Sequence, residues 1–217
     1  MRTPDFIAID WGSTAFRAWA MGLDGTILGA VTAEDGLKSV SNRDFDGVVS
    51  RHCGAWLSAH PEVPVILCGM VGSRTGWVEA PYVDCPVAPR LLAAQAAPLT
   101  IAGHRAAILP GACTRSPAGD VDVMRGEELQ LLGLAETAGL TDATVCIPGT
   151  HSKWARLDNG ELTGFRTFVT GELFQLLRRH SLVGALAEGD AHDDAAFRRG
   201  LARRKACLLY TSPSPRD

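Results

Sequence analysis

The 217-residue sequence lacks the paired cysteines that would indicate a zinc site or a disulfide framework. Its six cysteines, at positions 53, 68, 85, 113, 146 and 207, form no C-x-x-C pair, so we expect reduced thiols that are mostly buried. No apolar run reaches the ~18 to 20 residues of a membrane span, and the opening segment MRTPDFIAID has no apolar signal-peptide core. We therefore expect a cytoplasmic protein that does not contact a membrane.

The sequence also lacks a large excess of charge of either sign. It has 21 Lys and Arg against 24 Asp and Glu, a net charge of -3, which disfavours the basic field that draws proteins to nucleic acid or anionic membranes. A Walker-type G-x-x-x-x-G-K-[ST] motif is absent, which argues against a P-loop kinase. The composition, 46% hydrophobic and 21% charged, is typical of a globular protein, and small-molecule chemistry is the favoured interpretation.

A strand–turn–strand pattern occurs twice in the chain. In the first copy we predict strands over residues 6–10, 16–21 and 26–30, with the turn D-W-G-S-T after the first strand. In the second copy we predict strands over 144–147, 153–157 and 161–168, with the turn P-G-T-H-S. Such turns suit a bound phosphate, although tight hairpins need much the same residues. The repetition favours phosphate binding more than either turn alone.

Helical and strand patterns alternate between the two copies. We predict helices over 43–60, 89–97 and 123–138, strands over 63–69 and 105–111, and a structural amphipathic helix over 170–184. This order predicts an α/β architecture of two related domains. We place a first lobe at residues 1–140 and the start of an incomplete second lobe at 141–206.

The last eleven residues, CLLYTSPSPRD at 207–217, differ in character from the basic segment before them. They resemble the translation of a sequencing adapter, so we expect a non-native tail there. A disordered Pro/Ser-rich terminus is the alternative interpretation.

Four segments in order resemble the 2-dehydro-3-deoxygalactonokinases of the sugar-kinase, heat-shock-chaperone and actin superfamily: AIDWGST with Arg17 and Trp19, GMVGSRTGWVEAPYVDCPV, DVMRGEE and PGTHSKW. The resemblance covers nearly all of residues 6–206. It implies a two-domain, actin-like ATPase (ribonuclease H-like) sugar-kinase fold whose second domain is incomplete, with the adenine pocket in the missing part.

The resemblance also implies an activity. The expected reaction is ATP-dependent phosphorylation of the 6-hydroxyl of 2-dehydro-3-deoxygalactonate in galactonate catabolism, so the expected partners are a sugar acid and ATP. A kinase for another sugar or keto acid, or an ATPase of the same superfamily, is the alternative. A sugar-sensing repressor module is disfavoured because only five residues precede the first predicted strand, too few for a helix-turn-helix.

Within this resemblance, the two turns are expected to bind the phosphates of ATP and its Mg²⁺. Asp10 is expected to face Mg²⁺ through water, or else to accept hydrogen bonds from its own turn. The predicted phosphate donors are Gly12, Ser13 and Thr14 in the first turn and Gly149, Thr150, His151 and Ser152 in the second. Lys153 is expected to add positive charge, with a solvated strand residue as the alternative.

A kinase also needs a group that accepts the proton of the acceptor hydroxyl. Asp122, at the start of the helix predicted over 123–138, is the predicted general base, and an N-cap role would explain the same position. Asp120 is the alternative base. Arg125 and Glu127 are weaker candidates for supporting roles.

The carboxylate of a sugar acid calls for an arginine fork. Arg17, in an otherwise apolar strand, and Arg74, in a glycine-flanked loop, are the candidates. Trp77, Glu79 and Tyr82 follow Arg74 and are predicted to stack on or hydrogen-bond the sugar chain. A core role is the alternative for the Trp and the Tyr.

Overall fold

A computed structural model of the chain describes residues 2–185 and 193–202. The predicted tail at 207–217 lies outside the described residues. Helices are α1 Phe45–Ala59, α2 Pro89–Ala94, α3 Glu127–Ala138, α4 Gly171–His180 and α5 Asp194–Ala202. Strands are β1 Phe6–Trp11, β2 Phe16–Met21, β3 Ile27–Ala33, β4 Val65–Cys68, β5 Tyr82–Asp84, β6 Ala97–Ile101, β7 His104–Ile108, β8 Gly111–Arg115, β9 Val121–Met124, β10 Ala143–Ile147, β11 His151–Asp158 and β12 Glu161–Val169. The architecture is α/β with mixed sheets, as predicted.

Chain contacts divide the protein into a first unit, Met1–Glu172, and a second unit that begins at Leu173. The first unit contains all the strands of the described residues and both predicted turns, and the second contains most of α4 together with α5. The lobes proposed at 1–140 and 141–206 stay a prediction. None of the described helices has the length and apolar character of a membrane span.

A six-stranded sheet in the order β3-β2-β1-β4-β7-β6 forms the first half of the first unit. β1 pairs antiparallel with β2, and β2 with β3, so the three strands predicted at the start of the chain are confirmed as a meander. β1 also pairs parallel with β4, which follows α1. Alternate residues of β1, Ile7, Ile9 and Trp11, are buried because they face α1, where Val49 and Cys53 recur at helical spacing. The Asp44 carboxylate caps α1 by accepting from the Gly47 N–H at 3.0 Å.

Two three-stranded sheets, β10-β11-β12 and β5-β8-β9, form the second half of the first unit. A bridge between Val87 and Leu162 links them, and both contribute to a second apolar cluster with α3. Leu131 of α3 and Leu157 of β11 are fully buried in this cluster. Burial of these apolar side chains supplies the main driving force for assembly.

Several predicted boundaries were wrong. The helix predicted over 123–138 begins at Glu127, because residues 121–124 alternate as strand β9 and pair with β8. β5, β6 and β8 were not predicted. The second turn is shorter than predicted because His151 and Ser152 pair with β12. The helix predicted over 170–184 ends at His180, and its apolar side chains are exposed.

Candidate functional site

A cleft of about 550 Å³ lies between the turns of the two hairpins. The first hairpin, β1–β2, contributes Gly12 and Ser13, and the second, β10–β11, contributes Gly149, Thr150 and His151. Residues of both turns therefore line one cleft. Thr14 and Ser152 are not among the residues that line it.

The first turn is held by a buried aromatic residue, Trp11, and by backbone hydrogen bonds from the segment after β3. Trp11 is fully buried and donates from Nε1 to the Asp35 carbonyl at 2.8 Å. Leu37 N–H donates to the Gly12 carbonyl at 3.0 Å, and Lys38 N–H donates to the Ser13 carbonyl at 3.1 Å. These contacts fix the backbone of the turn before any ligand binds.

The second turn is held by the residues that begin α4. Gly171 N–H donates to the Gly149 carbonyl at 3.2 Å, and Glu172 N–H donates to the Thr150 carbonyl at 3.1 Å. The Glu172 carboxylate also pairs with His151 Nε2 at 2.5 Å. The imidazole of His151 is thus oriented by an acid while it lines the cleft.

Backbone donors remain free on both turns. Within residues 2–185 and 193–202, the N–H groups of Ser13, Gly149 and Thr150 donate to no protein acceptor. All three residues line the cleft. Successive backbone N–H groups of this kind form anion-binding concavities.

Glycine in the two turns is not required by packing. A Cβ on Gly12 would meet only the Ala15 carbonyl oxygen, at 3.7 Å, and one on Gly149 only the His151 carbonyl oxygen, at 3.8 Å. Both distances are ordinary contacts, so alanine fits the folded protein at either position. Because these glycines have no side chain, a ligand can approach the backbone of each turn closely.

Two further glycines bring α3 to the first hairpin. Gly69, after β4, has a φ of +89°, and a Cβ on it would lie 2.8 Å from the Trp11 carbonyl oxygen. Gly126, before α3, has a φ of +107°, and a Cβ there would lie 3.4 Å from the Gly69 Cα. This close approach places Glu127, the first residue of α3, in the cleft.

Two acids line the cleft with different partners. The Asp10 carboxylate pairs with Arg17 Nη1 at 3.2 Å, because Asp10 and Arg17 lie opposite each other on β1 and β2. Glu127 Oε2 accepts from the Arg125 N–H at 3.1 Å. Among the described residues, no group of three or more His, Cys, Asp or Glu side chains is placed to hold a metal ion.

Glu128 lies beside them but is buried, with 1% of its surface exposed. Burial raises the pKa of its carboxyl from the ordinary value of 4.5 to about 7, although the Gly126 N–H, 2.8 Å from both oxygens, acts in the opposite direction. The Glu128 carboxyl therefore loses its proton at a higher pH than an exposed glutamate does.

Asp122 is not at a helix start, so its predicted position was wrong. It lies in β9, and its carboxylate accepts from the Thr167 N–H and the Thr167 hydroxyl, both at 2.6 Å. Asp120 accepts from the Ser116 hydroxyl at 3.1 Å. Both acids line a separate depression rather than the cleft between the turns. These contacts give no support to either acid as the base.

Lys153 is a buried cation at the cleft, with 6% of its surface exposed, which rules out the solvated-strand alternative. Its Nζ donates to the Val123 carbonyl at 2.8 Å and to the Thr167 hydroxyl at 2.7 Å. No sequence pattern pointed to Thr167, whose link to Asp122 depends on β9 lying beside the β11–β12 hairpin.

The predicted sugar ligands are dispersed. Tyr82 lines the cleft, whereas Trp77 stacks on Phe45 in the core at a ring separation of 5.6 Å. Arg17 is paired with Asp10. Arg74 and Glu79 are exposed, do not line the cleft, and make no side-chain hydrogen bond or ion pair within the described part of the chain.

Arg125, predicted only as a supporting residue, packs at the same wall of the cleft. Its guanidinium lies 4.2 Å from the centre of the Tyr82 ring and donates from Nη2 to the Ala80 carbonyl at 2.8 Å. Its buried Nε and Nη1 have no hydrogen-bond partner among the described residues. Arg125 thereby ties the loop after β4 to the start of α3.

The fold and the site define an α/β protein in which two related hairpins face one cleft. A profile of the 2-keto-3-deoxy-galactonokinase family matches residues 10–211. The chain therefore belongs to that family, which confirms the resemblance drawn from its four segments.

Relatives agree with the family match. The Rhizobium meliloti protein named Probable 2-dehydro-3-deoxygalactonokinase DgoK1 is 40% identical over 92% of this chain, and the Escherichia coli 2-dehydro-3-deoxygalactonokinase is 38% identical over 93% of it. The chain spans 66% of the length of each. A crystal structure of a Sinorhizobium meliloti protein of the same description superposes with a TM-score of 0.81 at 39% identity, over 94% of this chain and 67% of that one.

Proposed function

We propose that the chain carries the phosphate-binding cleft of an ATP-dependent kinase whose acceptor is the 6-hydroxyl of 2-dehydro-3-deoxygalactonate. The observation that supports this most directly is the set of unpaired turn N–H groups, from Ser13, Gly149 and Thr150, along one cleft. The names of the two curated relatives support the choice of acceptor. The proposed fold is the two-domain, actin-like sugar-kinase fold, of which the chain holds the first domain and part of the second.

The cleft fits the anionic part of ATP. Gly12 and Gly149 leave the backbone open to close approach, and Lys153 adds a positive charge at the same cleft. Asp10 would face Mg²⁺ through water, because this ion keeps much of its hydration shell. Bound MgATP supplies a transferable phosphoryl group whose charge the metal partly neutralises.

Glu127 is the acid that we assign to the acceptor hydroxyl. It lines the cleft, its carboxylate makes no ion pair within the described residues, and it follows Gly126 at the start of α3. Tyr82 and Arg125 form the wall beside it, where the sugar acid would lie. Arg74 and Glu79, exposed in the loop after β4, are further candidates for contact with the sugar acid.

The reaction is tested by ADP release that depends on the acceptor. We expect turnover with 2-dehydro-3-deoxygalactonate, and little with epimers and other keto acids in a panel. The assay is run on the 217-residue chain and on a chimera in which the remaining third of the Rhizobium meliloti relative is joined to it. ADP release without acceptor would support an ATPase instead, and the lack of any release from both proteins would contradict the proposal.

Alanine at Gly12 or Gly149 is expected to weaken polyphosphate binding without destabilising the fold. The added methyl meets only ordinary contacts inside the protein but occupies the space above the turn. We expect tripolyphosphate affinity, measured by calorimetry, to fall about tenfold, the loss that goes with one charge-assisted hydrogen bond. Gly133→Ala in α3, where a Cβ would meet nothing within 4 Å, is the matched control. Unchanged tripolyphosphate affinity in both turn variants would contradict the proposed contact between the turns and phosphate.

A further inference from the structure

We propose that Asp122 and Thr167 form a positioning chain that fixes the ammonium group of Lys153 at the cleft, where it binds the terminal phosphate of the nucleotide. Asp122 would then be a positioning residue that acts through Thr167 and Lys153, not the base. The proposal rests on the proposed function for the identity of the anion, and on the geometry of three strands for everything else.

Hydrogen-bond chemistry fixes the direction of this chain. The Asp122 carboxylate can only accept, so the Thr167 hydroxyl donates its single proton to Oδ1 at 2.6 Å. The oxygen of that hydroxyl is then free to accept from Lys153 Nζ at 2.7 Å. A second bond, from the Thr167 N–H to Asp122 Oδ2 at 2.6 Å, keeps the carboxylate from rotating away.

The three residues come from three different strands. Lys153 on β11 lies directly opposite Thr167 on β12, and Asp122 lies on β9. The Lys153 ammonium also donates to the Val123 carbonyl of β9 at 2.8 Å. The hydrogen bonds between Asp122, Thr167 and Lys153 therefore connect β9 to the β11–β12 pair at the edge of the cleft.

The charge of Lys153 is oriented but not neutralised. Both of its hydrogen-bond acceptors are neutral, and no carboxylate lies within ion-pair distance of Nζ among the described residues. Two of its three N–H groups are used, and its side chain lines the cleft although only 6% of the residue is exposed. A buried ammonium without a counter-ion is costly, and a phosphate in the cleft would offset that cost.

The test is calorimetric titration of the 217-residue chain with tripolyphosphate, which requires neither the sugar acid nor an adenine pocket. We expect Thr167→Val to weaken binding by about tenfold, since the hydroxyl link is lost while the branched shape is kept. Thr167→Ser should restore most of the affinity. The control is Thr163→Val, on the same strand as Thr167. It removes a hydroxyl that donates to the Arg156 carbonyl of β11, and it should leave binding unchanged.

Coupling distinguishes positioning from a general loss of structure. In a Lys153→Met background, Thr167→Val should have no further effect on affinity, because both changes remove the same contact. Asp122→Asn, a second variant that keeps the side-chain shape, should also weaken binding, whereas replacing a base would leave tripolyphosphate affinity unchanged. Melting curves confirm that each variant is folded.

Two failures have separate meanings. Absence of tripolyphosphate binding by the unmodified chain would overturn the proposed function together with this inference. If the unmodified chain binds and Lys153→Met weakens binding, but Thr167→Val and Asp122→Asn do not, the positioning chain is refuted while the phosphate cleft stands.

Discussion

Glu127→Gln is expected to lower kcat by roughly 10²- to 10⁴-fold, the usual contribution of a positioned acid or base, while the KM for MgATP changes little. The reason is the placement of Glu127. Within residues 2–185 and 193–202, Glu127 makes no ion pair, whereas the cleft acid Asp10 is held by Arg17 at 3.2 Å. Glutamine keeps the size of the side chain but cannot take the proton. Acceptor-dependent ADP release measures the effect.

The pH profile separates a base from a residue that only orients the substrate. Loss of a base removes the acid limb of the kcat profile, whereas loss of a positioning contact lowers kcat at every pH. Glu136→Gln, at an exposed site on the same helix, is the matched control. A variant at Glu127 with unchanged kcat, together with a large loss in Asp122→Asn, would return the catalytic role to Asp122.

The meander and its repeat could be predicted because they depend on local signals. β1 and β2 alternate in burial, and the turns at Asp24-Gly25 and Asn159-Gly160 carry glycines with φ values of +81° and +74°. Such features are complete within a few neighbouring residues. The same holds for α1, whose apolar residues recur at helical spacing.

The start of α3 could not be predicted because two patterns overlap there. Val121 and Val123 alternate as a strand requires, yet the apolar residues that follow extend a helical period back to the same place. Pairing of β9 with β8 decided the outcome, and it joins segments several residues apart. Asp122 was misplaced for this reason.

The cleft was predictable in outline but not in detail. The two turns could be predicted because each is a short local pattern of glycine and hydroxyl-bearing residues directly after a strand. Thr167 lies opposite Lys153 within one hairpin, but the contacts that Asp122 and Val123 of β9 make with these two residues follow from no spacing within the sequence. Trp77 and Tyr82 illustrate the same limit, since one packs in the core and the other lines the cleft.

Glu128→Gln is expected to change how stability depends on pH. The pKa of Glu128 is raised by burial from 4.5 to about 7, so the folded protein binds an extra proton between these pH values. The stability that this group contributes is fully present below pH 4.5 and is lost as the pH rises to about 7. The free energy of unfolding should therefore fall by up to ~3 kcal/mol relative to the variant.

Urea denaturation from pH 4 to pH 8 measures this difference, with Glu136→Gln as the exposed control. Glutamine cannot ionise, so the variant should lack the fall in stability that the unmodified protein shows between pH 4.5 and about 7. Parallel stability curves for the two proteins would contradict the raised pKa. Such a result would mean that the Gly126 N–H compensates the buried charge, and that the start of α3 holds an ionised acid beside Glu127 at neutral pH.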